Sequence, residues 1–121
     1  MKVLLAEDEP DVQLIARLSL KKAGFTVVTA GNGLEVLERV AAERPDAILL
    51  DWMMPDMDGY ETCRRLKADP ATAGIPVIFL TARVQESEVA RALALGAAGC
   101  IGKPFDALTL GQRVMEFMAP K

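Results

Sequence analysis

The sequence has no histidine and only two cysteines, Cys63 and Cys100. Without histidine the zinc ligand sets that are usual in proteins cannot form, and the two cysteines are too far apart in the chain to share a metal-ligand spacing. We therefore interpret both cysteines as reduced thiols and expect no zinc site.

The sequence also lacks a basic segment and a long apolar run. The formal net charge is −3, and lysine and arginine are spread along the chain, so direct nucleic-acid binding is not expected. Residues 1–6 form a short apolar run that ends at Glu7 and Asp8. This run is too short for the core of a signal peptide or for a membrane span, so we expect a soluble cytoplasmic protein that does not contact a membrane.

The 121 residues, 51% of them hydrophobic, predict one compact domain over 1–121 whose core needs neither disulfides nor a metal. Short apolar runs alternate with longer amphipathic stretches. This alternation is typical of β-α units that build a parallel sheet covered on both faces. The predicted strands are 2–6, 26–29, 47–50, 77–80 and 99–101.

Apolar steps of three and four residues, together with capping residues, predict five helices. The first begins at Pro10 and ends before Gly24, and its apolar stripe includes Val12, Ile15, Ala16, Ser19 and Ala23. The next three cover about 33–43, 58–67 and 86–95. The last begins after a capping aspartate and carries three apolar residues on one face; these residues are Asp106, Leu110, Val114 and Phe117.

Polar side chains follow four of the predicted strands at their carboxyl ends. Glu7 and Asp8 follow the first strand, Asp51 the third, Thr81 the fourth and Lys103 the fifth. Ligands of doubly wound sheets bind beyond these ends. Three carboxylates held together repel one another unless a cation compensates, so the cluster predicts a bound metal, and its oxygen donors favour Mg²⁺.

A carboxylate can attack phosphorus and form an acyl phosphate when the charge on the transferred group is neutralised. Asp51 is placed for that role, and Thr81 and Lys103 are placed to hold phosphoryl oxygens. Taken singly, each residue has a plainer explanation, since acids after a strand cap helices, threonine fills strand ends and lysine is usually solvated. Their joint placement favours the chemical interpretation.

Four blocks resemble the receiver domains of two-component response regulators, in a stand-alone, chemotaxis-regulator-like form. The blocks are 4–9 (LLAEDE), 51–59 (DWMMPDMDG), 80–82 (LTA) and 103–105 (KPF), and together the resemblance covers the whole chain. It implies an α/β fold of the flavodoxin-like kind, a (βα)5 doubly wound parallel sheet with strand order 2-1-3-4-5.

The resemblance also implies roles for individual residues. Asp51 would be the phosphoacceptor, Thr81 and Lys103 would contact the phosphoryl group, and the Lys103–Pro104 peptide bond would be cis. Mg²⁺, for which Mn²⁺ can substitute, would be bound directly by two carboxylates and one main-chain carbonyl and through water by a third carboxylate. These ligands would be Asp8, Asp51, the carbonyl of Met53 and, through water, Glu7.

One position departs from the family pattern. Three residues before the lysine the family commonly has a tyrosine or phenylalanine that swings inward when the threonine moves, and here the residue is Cys100. This chain therefore lacks the aromatic side chain that usually couples the threonine, here Thr81, to the surface formed by the fourth helix, fifth strand and fifth helix. We interpret Cys100 as a small packed residue and not as a redox centre.

Met53 and Arg83 occupy positions that tune the lifetime of the acyl phosphate in the family. Either their side chains shield the acyl phosphate from water or they are solvated surface residues, and both interpretations stay open.

The function implied by the resemblance is a signalling switch that is not an enzyme beyond its own phosphorylation and slow dephosphorylation. A histidine kinase or histidine phosphotransfer protein would be the donor, and a downstream protein would be the target of a monomer or weak dimer. Donor docking is expected on the first helix and the loop after the fifth strand. Leu14 and Leu18 lie off the main apolar stripe and would belong to that patch, or alternatively pack beneath the fifth helix.

Two other functions stay open from the sequence. Cys100 suggests an interaction module that needs no phosphate, although the acidic, Thr81 and Lys103 positions are intact. A hydrolase of the haloacid-dehalogenase kind would carry a second aspartate two residues after the nucleophile, where Met53 stands. Whether the chain is a complete protein or part of a multidomain regulator also stays open.

Overall fold

A five-stranded parallel sheet forms the centre of the computed structural model, which describes residues 1–54, 57–82 and 85–118. The strands lie in the order β2-β1-β3-β4-β5, and the predicted order is thereby confirmed. Each predicted strand begins where expected, and all but the first extend one residue further. Their bounds are β1 Lys2–Ala6, β2 Thr26–Ala30, β3 Ala47–Asp51, β4 Val77–Thr81 and β5 Gly99–Gly102.

The five helices of the described chain alternate with these strands. They are α1 Pro10–Lys22, α2 Gly33–Glu43, α3 Gly59–Ala68, α4 Glu86–Ala94 and α5 Leu110–Met118. The prediction for α5 was wrong at its start, because the helix does not follow Asp106 directly. The Asp106 side chain accepts the Leu108 N–H at 2.9 Å, and this local turn delays the helix to Leu110.

The two faces of the sheet bury separate apolar cores, because successive side chains of a strand point to opposite faces. In β1, Leu4 and Ala6 pack on one face with residues of α2, α3 and α4. Val3 and Leu5 pack on the other face with residues of α1 and α5. All four are fully buried, as a central strand covered by helices on both sides requires. Strand β2 lies at the sheet edge and buries only Ala30 fully, so it is less covered than its apolar sequence suggested.

Helix α1 corrects part of the sequence prediction. Its buried residues are Ala16 and Leu20, whereas Ile15, expected on the apolar stripe, is half exposed. Leu14 and Leu18 are 45% and 55% exposed, which contradicts the alternative that they pack beneath α5. The helix therefore presents an apolar outer surface. No helix within the described ranges has both the length and the apolar character needed to cross a membrane.

The register of the strands sets the geometry of the functional edge. Ala6 pairs with Leu50, Asp51 with Leu80, and Thr81 with Gly102. The carboxyl ends of β1, β3, β4 and β5 consequently finish at neighbouring levels, and the residues that follow them face one another across short gaps.

Candidate functional site

The loop after β1 holds Glu7 in a buried position. Its N–H donates to the Ala30 carbonyl at 3.1 Å, and its Oε1 accepts the Glu9 N–H at 3.1 Å. The Gln13 side chain of α1 donates to the Glu7 carbonyl at 3.0 Å. Glu7 is therefore fixed at its N–H, its carbonyl and its side chain, while Asp8 beside it is exposed and accessible from solvent.

The end of β3 places Asp51 beside Glu7. Asp51 is buried, and its Oδ1 accepts the Met53 N–H at 3.2 Å. The next residue, Trp52, donates its N–H to the Leu80 carbonyl at 2.9 Å. These contacts continue the sheet pairing past the strand end and fix the main chain on both sides of the Asp51 side chain.

Lys103 lies opposite these acids. Its Nζ is 3.1 Å from Glu7 Oε2 and 3.2 Å from Asp51 Oδ1. Its own N–H donates to the Thr81 carbonyl at 2.7 Å, which ties the loop after β5 to the end of β4. The Lys103–Pro104 peptide bond is cis. The ammonium thus reaches both buried carboxylates from the far side of the pocket.

Burial and neighbouring charges shift the pKa values of Glu7 and Lys103. Burial is the largest cause, and with the neighbouring Asp51 carboxylate it raises the pKa of Glu7 to about 7, against the lowering effect of the Glu9 N–H and Lys103. Burial alone would lower the pKa of Lys103, but Glu7 and Asp51 together raise it above its usual value. The lysine therefore stays charged at neutral pH and supplies the positive charge on one side of the pocket.

The acidic residues also fit a divalent cation. Within the described residues, oxygens from Glu7, Asp8 and Asp51 lie within 4.8 Å of one another. An all-oxygen set with both buried and accessible members suits Mg²⁺, a hard cation that keeps part of its water shell. The predicted carboxylates are thus brought together, whereas a ligand role for the Met53 carbonyl stays a prediction.

Thr81 lies at the end of β4, next to this pocket, and Cys100 lies further back on β5. Thr81 is buried at the end of β4, and Cys100 of β5 pairs in register with Phe79 of β4. Cys100 is only 7% exposed and packs in the apolar core, as the sequence analysis expected. Burial, followed by the Glu88 charge, raises the pKa of its thiol, so Cys100 is a poor nucleophile at neutral pH.

No role in holding the site was assigned from the sequence to two positions, Gly59 and Gln13. Gly59 packs so closely against the end of β3 that an added Cβ would overlap the Asp51 carbonyl oxygen and lie 3.0 Å from Trp52 Cα. The glycine at the start of a predicted helix was the available signal. Gln13, which holds the Glu7 carbonyl, gave none, because a glutamine early in a helix is most often solvated.

Of the two residues expected to tune the lifetime of the acyl phosphate, Met53 lies within the described residues. The Met53 side chain is 73% exposed, so its thioether lies mostly in solvent beside the pocket. Arg83 lies outside the described residues, as do Pro55 and Asp56 of the 51–59 block.

Comparison with known proteins decides the family. The model of the response regulator receiver domain matches residues 3–115. The chain belongs to this family. Receiver domains of response regulators are signalling switches of two-component systems, and switching by phosphorylation is general to them. The acidic pocket at which the family uses Mg²⁺ corresponds to the cluster of Glu7, Asp8 and Asp51.

Relatives of known name support the same assignment. The chain is 42% identical over 97% of its length to the phosphate regulon transcriptional regulatory protein PhoB of Rhizobium meliloti, covering 52% of that protein. It is 34% identical, over 97% of its length, to the alkaline phosphatase synthesis transcriptional regulatory protein PhoP of Bacillus subtilis, covering 48% of it. The receiver chain thus spans about half the length of these relatives.

Solved receiver structures match the whole fold. A putative response regulator from Chloroflexus aurantiacus superposes with a TM-score of 0.91 at 32% identity, with 98% of each chain covered. The chemotaxis response regulator CheY4 of Vibrio cholerae gives a TM-score of 0.90 at 29% identity, covering 96% of this chain and 97% of its own. The two longer relatives are called transcriptional regulatory proteins. The comparisons therefore do not support the expectation that direct nucleic-acid binding is absent.

Proposed function

We propose that this receiver domain accepts a phosphoryl group on Asp51 in a Mg²⁺-dependent reaction and thereby changes its binding to a protein partner. The observation that carries the proposal is the contact of one ammonium, Lys103 Nζ, with both Glu7 and Asp51, on the edge where three carboxylates meet. Such a pocket combines an anionic metal site with a fixed cation, the two charges that phosphoryl transfer to a carboxylate requires.

The transfer step follows from the position of Asp51. An Asp51 carboxylate oxygen forms a bond to phosphorus as the bond between phosphorus and the imidazole nitrogen of a phosphohistidine donor breaks, and the imidazole leaves with the electron pair. The Lys103 ammonium, which now contacts Asp51 Oδ1, would turn to a phosphoryl oxygen, and the Thr81 hydroxyl would hold another. Mg²⁺ bound by Asp8, Asp51 and the Met53 carbonyl, and through water by Glu7, would neutralise negative charge on the group being transferred.

Donor docking is proposed on the outer face of α1 and the loop after β5. An open groove of about 380 Å³ lies between them, and its lining includes Ile15, Lys103 and Phe105. Exposed Leu14 and Leu18 continue the apolar surface along α1. A histidine kinase or a histidine phosphotransfer protein seated on this surface would present its phosphohistidine at the mouth of the pocket that contains Lys103.

The proposed outcome is altered partner binding without turnover of an external substrate. A phosphoryl group on Asp51 would draw Thr81 inward and shift an equilibrium between two surface arrangements. A downstream protein would bind one arrangement better than the other. We place the domain in the cytoplasm, as a monomer or weak dimer, with Mn²⁺ able to replace Mg²⁺ in the acidic pocket.

The proposal is tested by incubating the protein with acetyl phosphate and Mg²⁺ and measuring the intact mass. We expect one added phosphoryl group in the wild type and none in Asp51→Asn. Asp46→Asn is the matched control, because Asp46 lies just before the same strand at its other end and contacts the Lys2 N–H. Unchanged labelling of Asp51→Asn, or labelling in EDTA equal to that in Mg²⁺, would contradict the proposal.

A further inference from the structure

An aromatic cluster lies between Asp51 and α4, and one guanidinium of α4 covers it. The Trp52 ring packs against Phe79, with centroids 4.7 Å apart and planes inclined by 59°. It also meets Tyr60 of α3 edge-on, with centroids 6.1 Å apart. Trp52 therefore bridges β4 and α3 directly after Asp51 in the chain.

Arg91 connects this cluster to α4. Its guanidinium carbon lies over the Tyr60 ring, 4.7 Å from the centroid, and 5.9 Å from the centroid of Trp52. Both distances are within the range of cation–π attraction, which extends to about 6 Å. Arg91 is exposed on its helix, so the rings are covered by a long, flexible side chain and not by a rigid part of the core.

The Trp52 side chain is placed to respond to changes at Asp51. Its main chain is fixed by the hydrogen bond from its N–H to the Leu80 carbonyl, whereas its ring is only partly buried. A cavity of about 330 Å³ beside the ring is lined by Trp52, Met53, Thr81, Ala82 and Glu88. The ring thus has space to move on the side that faces the phosphoryl-binding threonine and the first turns of α4.

Position 100 does not offer a comparable path. Cys100 pairs in register with Phe79 and is buried in the core that also contains Trp52 and Ala92. A cysteine side chain is too short to swing between a buried and an exposed position as a ring does. Within the described residues, the Trp52 ring with the Arg91 guanidinium above it offers a connection from the end of β4 to α4 that has both a ring and a charge.

We propose that Arg91 is a positioning residue that couples α4 to the phosphoacceptor by holding the Trp52 ring. The proposal rests on the phosphoryl-acceptor function proposed above. A shift of the main chain at Asp51 moves the Trp52 ring relative to Phe79, and the contact with Arg91 transmits that movement to α4. The coupling that family members commonly route through an aromatic residue at position 100 is thereby routed through Trp52.

The contact itself is tested without any phosphoryl group. Trp52 is the single tryptophan of the chain, so intrinsic fluorescence reports on it alone. We expect Arg91→Ala to raise the acrylamide quenching constant of Trp52 and Arg91→Lys to raise it less. Arg113→Ala, which removes an exposed arginine from α5, should leave it unchanged. Quenching in Arg91→Ala equal to that of the wild type would overturn the proposal.

The coupling is tested with beryllofluoride and Mg²⁺ as the phosphoryl mimic, by NMR of backbone amides. In the wild type we expect shifts at Thr81 and Gly102 and also at Val89 and Ala92 of α4. In Arg91→Ala the shifts at Thr81 and Gly102 should remain, those at Val89 and Ala92 should fall to less than half, and beryllofluoride affinity should change by roughly two- to five-fold. Tyr60→Leu, which removes the ring nearest the guanidinium, should act in the same way.

The possible results separate the two proposals. Full α4 shifts in both Arg91→Ala and Tyr60→Leu would overturn the role of Arg91 while leaving Asp51 as the phosphoacceptor. A wild type in which beryllofluoride shifts neither Thr81 nor Gly102 would overturn the phosphoryl-acceptor function. Thermal midpoints close to the wild type would show that the variants are folded, as expected for an exposed arginine.

Discussion

The Nζ of Lys103 lies 3.2 Å from Oδ1 of Asp51, although Asp51 ends β3 and Lys103 follows β5, two strands that are separated in the sheet by β4. The same nitrogen is 3.1 Å from Glu7 Oε2, so one cation contacts two buried carboxylates. Removal of a partner from such a group is costly, because the charges left behind have lost water without a compensating contact.

Lys103→Met should therefore destabilise the metal-free protein at pH 8, above the Glu7 pKa of about 7. We expect a loss of about 1–3 kcal/mol in the free energy of unfolding, measured by urea titration in EDTA. Lys2→Met is the matched control, because its ion pair with Glu43 is 2.9 Å long but about one-third exposed on both sides, and such pairs contribute about 0–1 kcal/mol. An equal loss in both variants would show that burial of the Lys103 contacts does not increase their contribution to the free energy of unfolding.

Removal of Mg²⁺ should lower stability, because the clustered oxygens of Glu7, Asp8 and Asp51 repel one another without a cation. Relative to EDTA, Mg²⁺ at a hundred times its dissociation constant should stabilise the wild type by about 2.7 kcal/mol. Asp8→Asn should lose most of this gain, while Glu116→Gln on the exposed side of α5 should keep it. Urea titrations with and without Mg²⁺ make the comparison, and full Mg²⁺ stabilisation of Asp8→Asn would exclude that carboxylate as a ligand.

The sheet and the pocket were predictable because they depend on regular features of the sequence. Buried parallel strands are short apolar runs, and a polar residue directly after such a run, as Asp51 follows 47–50, must lie at the edge where ligands bind. Helix α1 was less predictable, since the exposed Ile15 fits an apolar periodicity that does not tell a core-facing stripe from an outer one.

Contacts between distant residues were not predictable in the same way. The Arg91 guanidinium over Tyr60 joins α4 to α3, and no local pattern in either helix indicates that they meet there. The Gln13 contact with the Glu7 carbonyl likewise depends on the angle at which α1 leaves the loop. Such pairs are set by the packing of whole elements, which periodicity and capping do not determine.

Gly59→Ala should displace Asp51, the proposed phosphoacceptor. An added Cβ would overlap the Asp51 carbonyl oxygen, which is backbone and cannot move aside without shifting β3. We expect a loss of about 1–3 kcal/mol in unfolding free energy and slower phosphorylation by acetyl phosphate. Gly74→Ala has open space around the new methyl group, so it should be neutral or slightly stabilising and should be phosphorylated normally. Normal phosphorylation of a folded Gly59→Ala variant would show that Asp51 tolerates this displacement.

Leu14→Glu should weaken phosphotransfer from a protein donor without impairing the phosphorylation site. Leu14 is 45% exposed on the outer face of α1, so a carboxylate there is solvated and costs little stability, but it would meet the apolar surface of a docked donor.

The measurement is transfer from a histidine kinase that phosphorylates the wild-type chain, with acetyl phosphate as the second donor. Leu34→Glu is the control, because Leu34 is 50% exposed but lies on α2, away from the groove between α1 and the loop after β5. We expect at least a ten-fold loss with the kinase for Leu14→Glu, about 1.4 kcal/mol, and equal rates for all three proteins with acetyl phosphate. Equal kinase rates for Leu14→Glu and Leu34→Glu would place donor docking elsewhere on the domain.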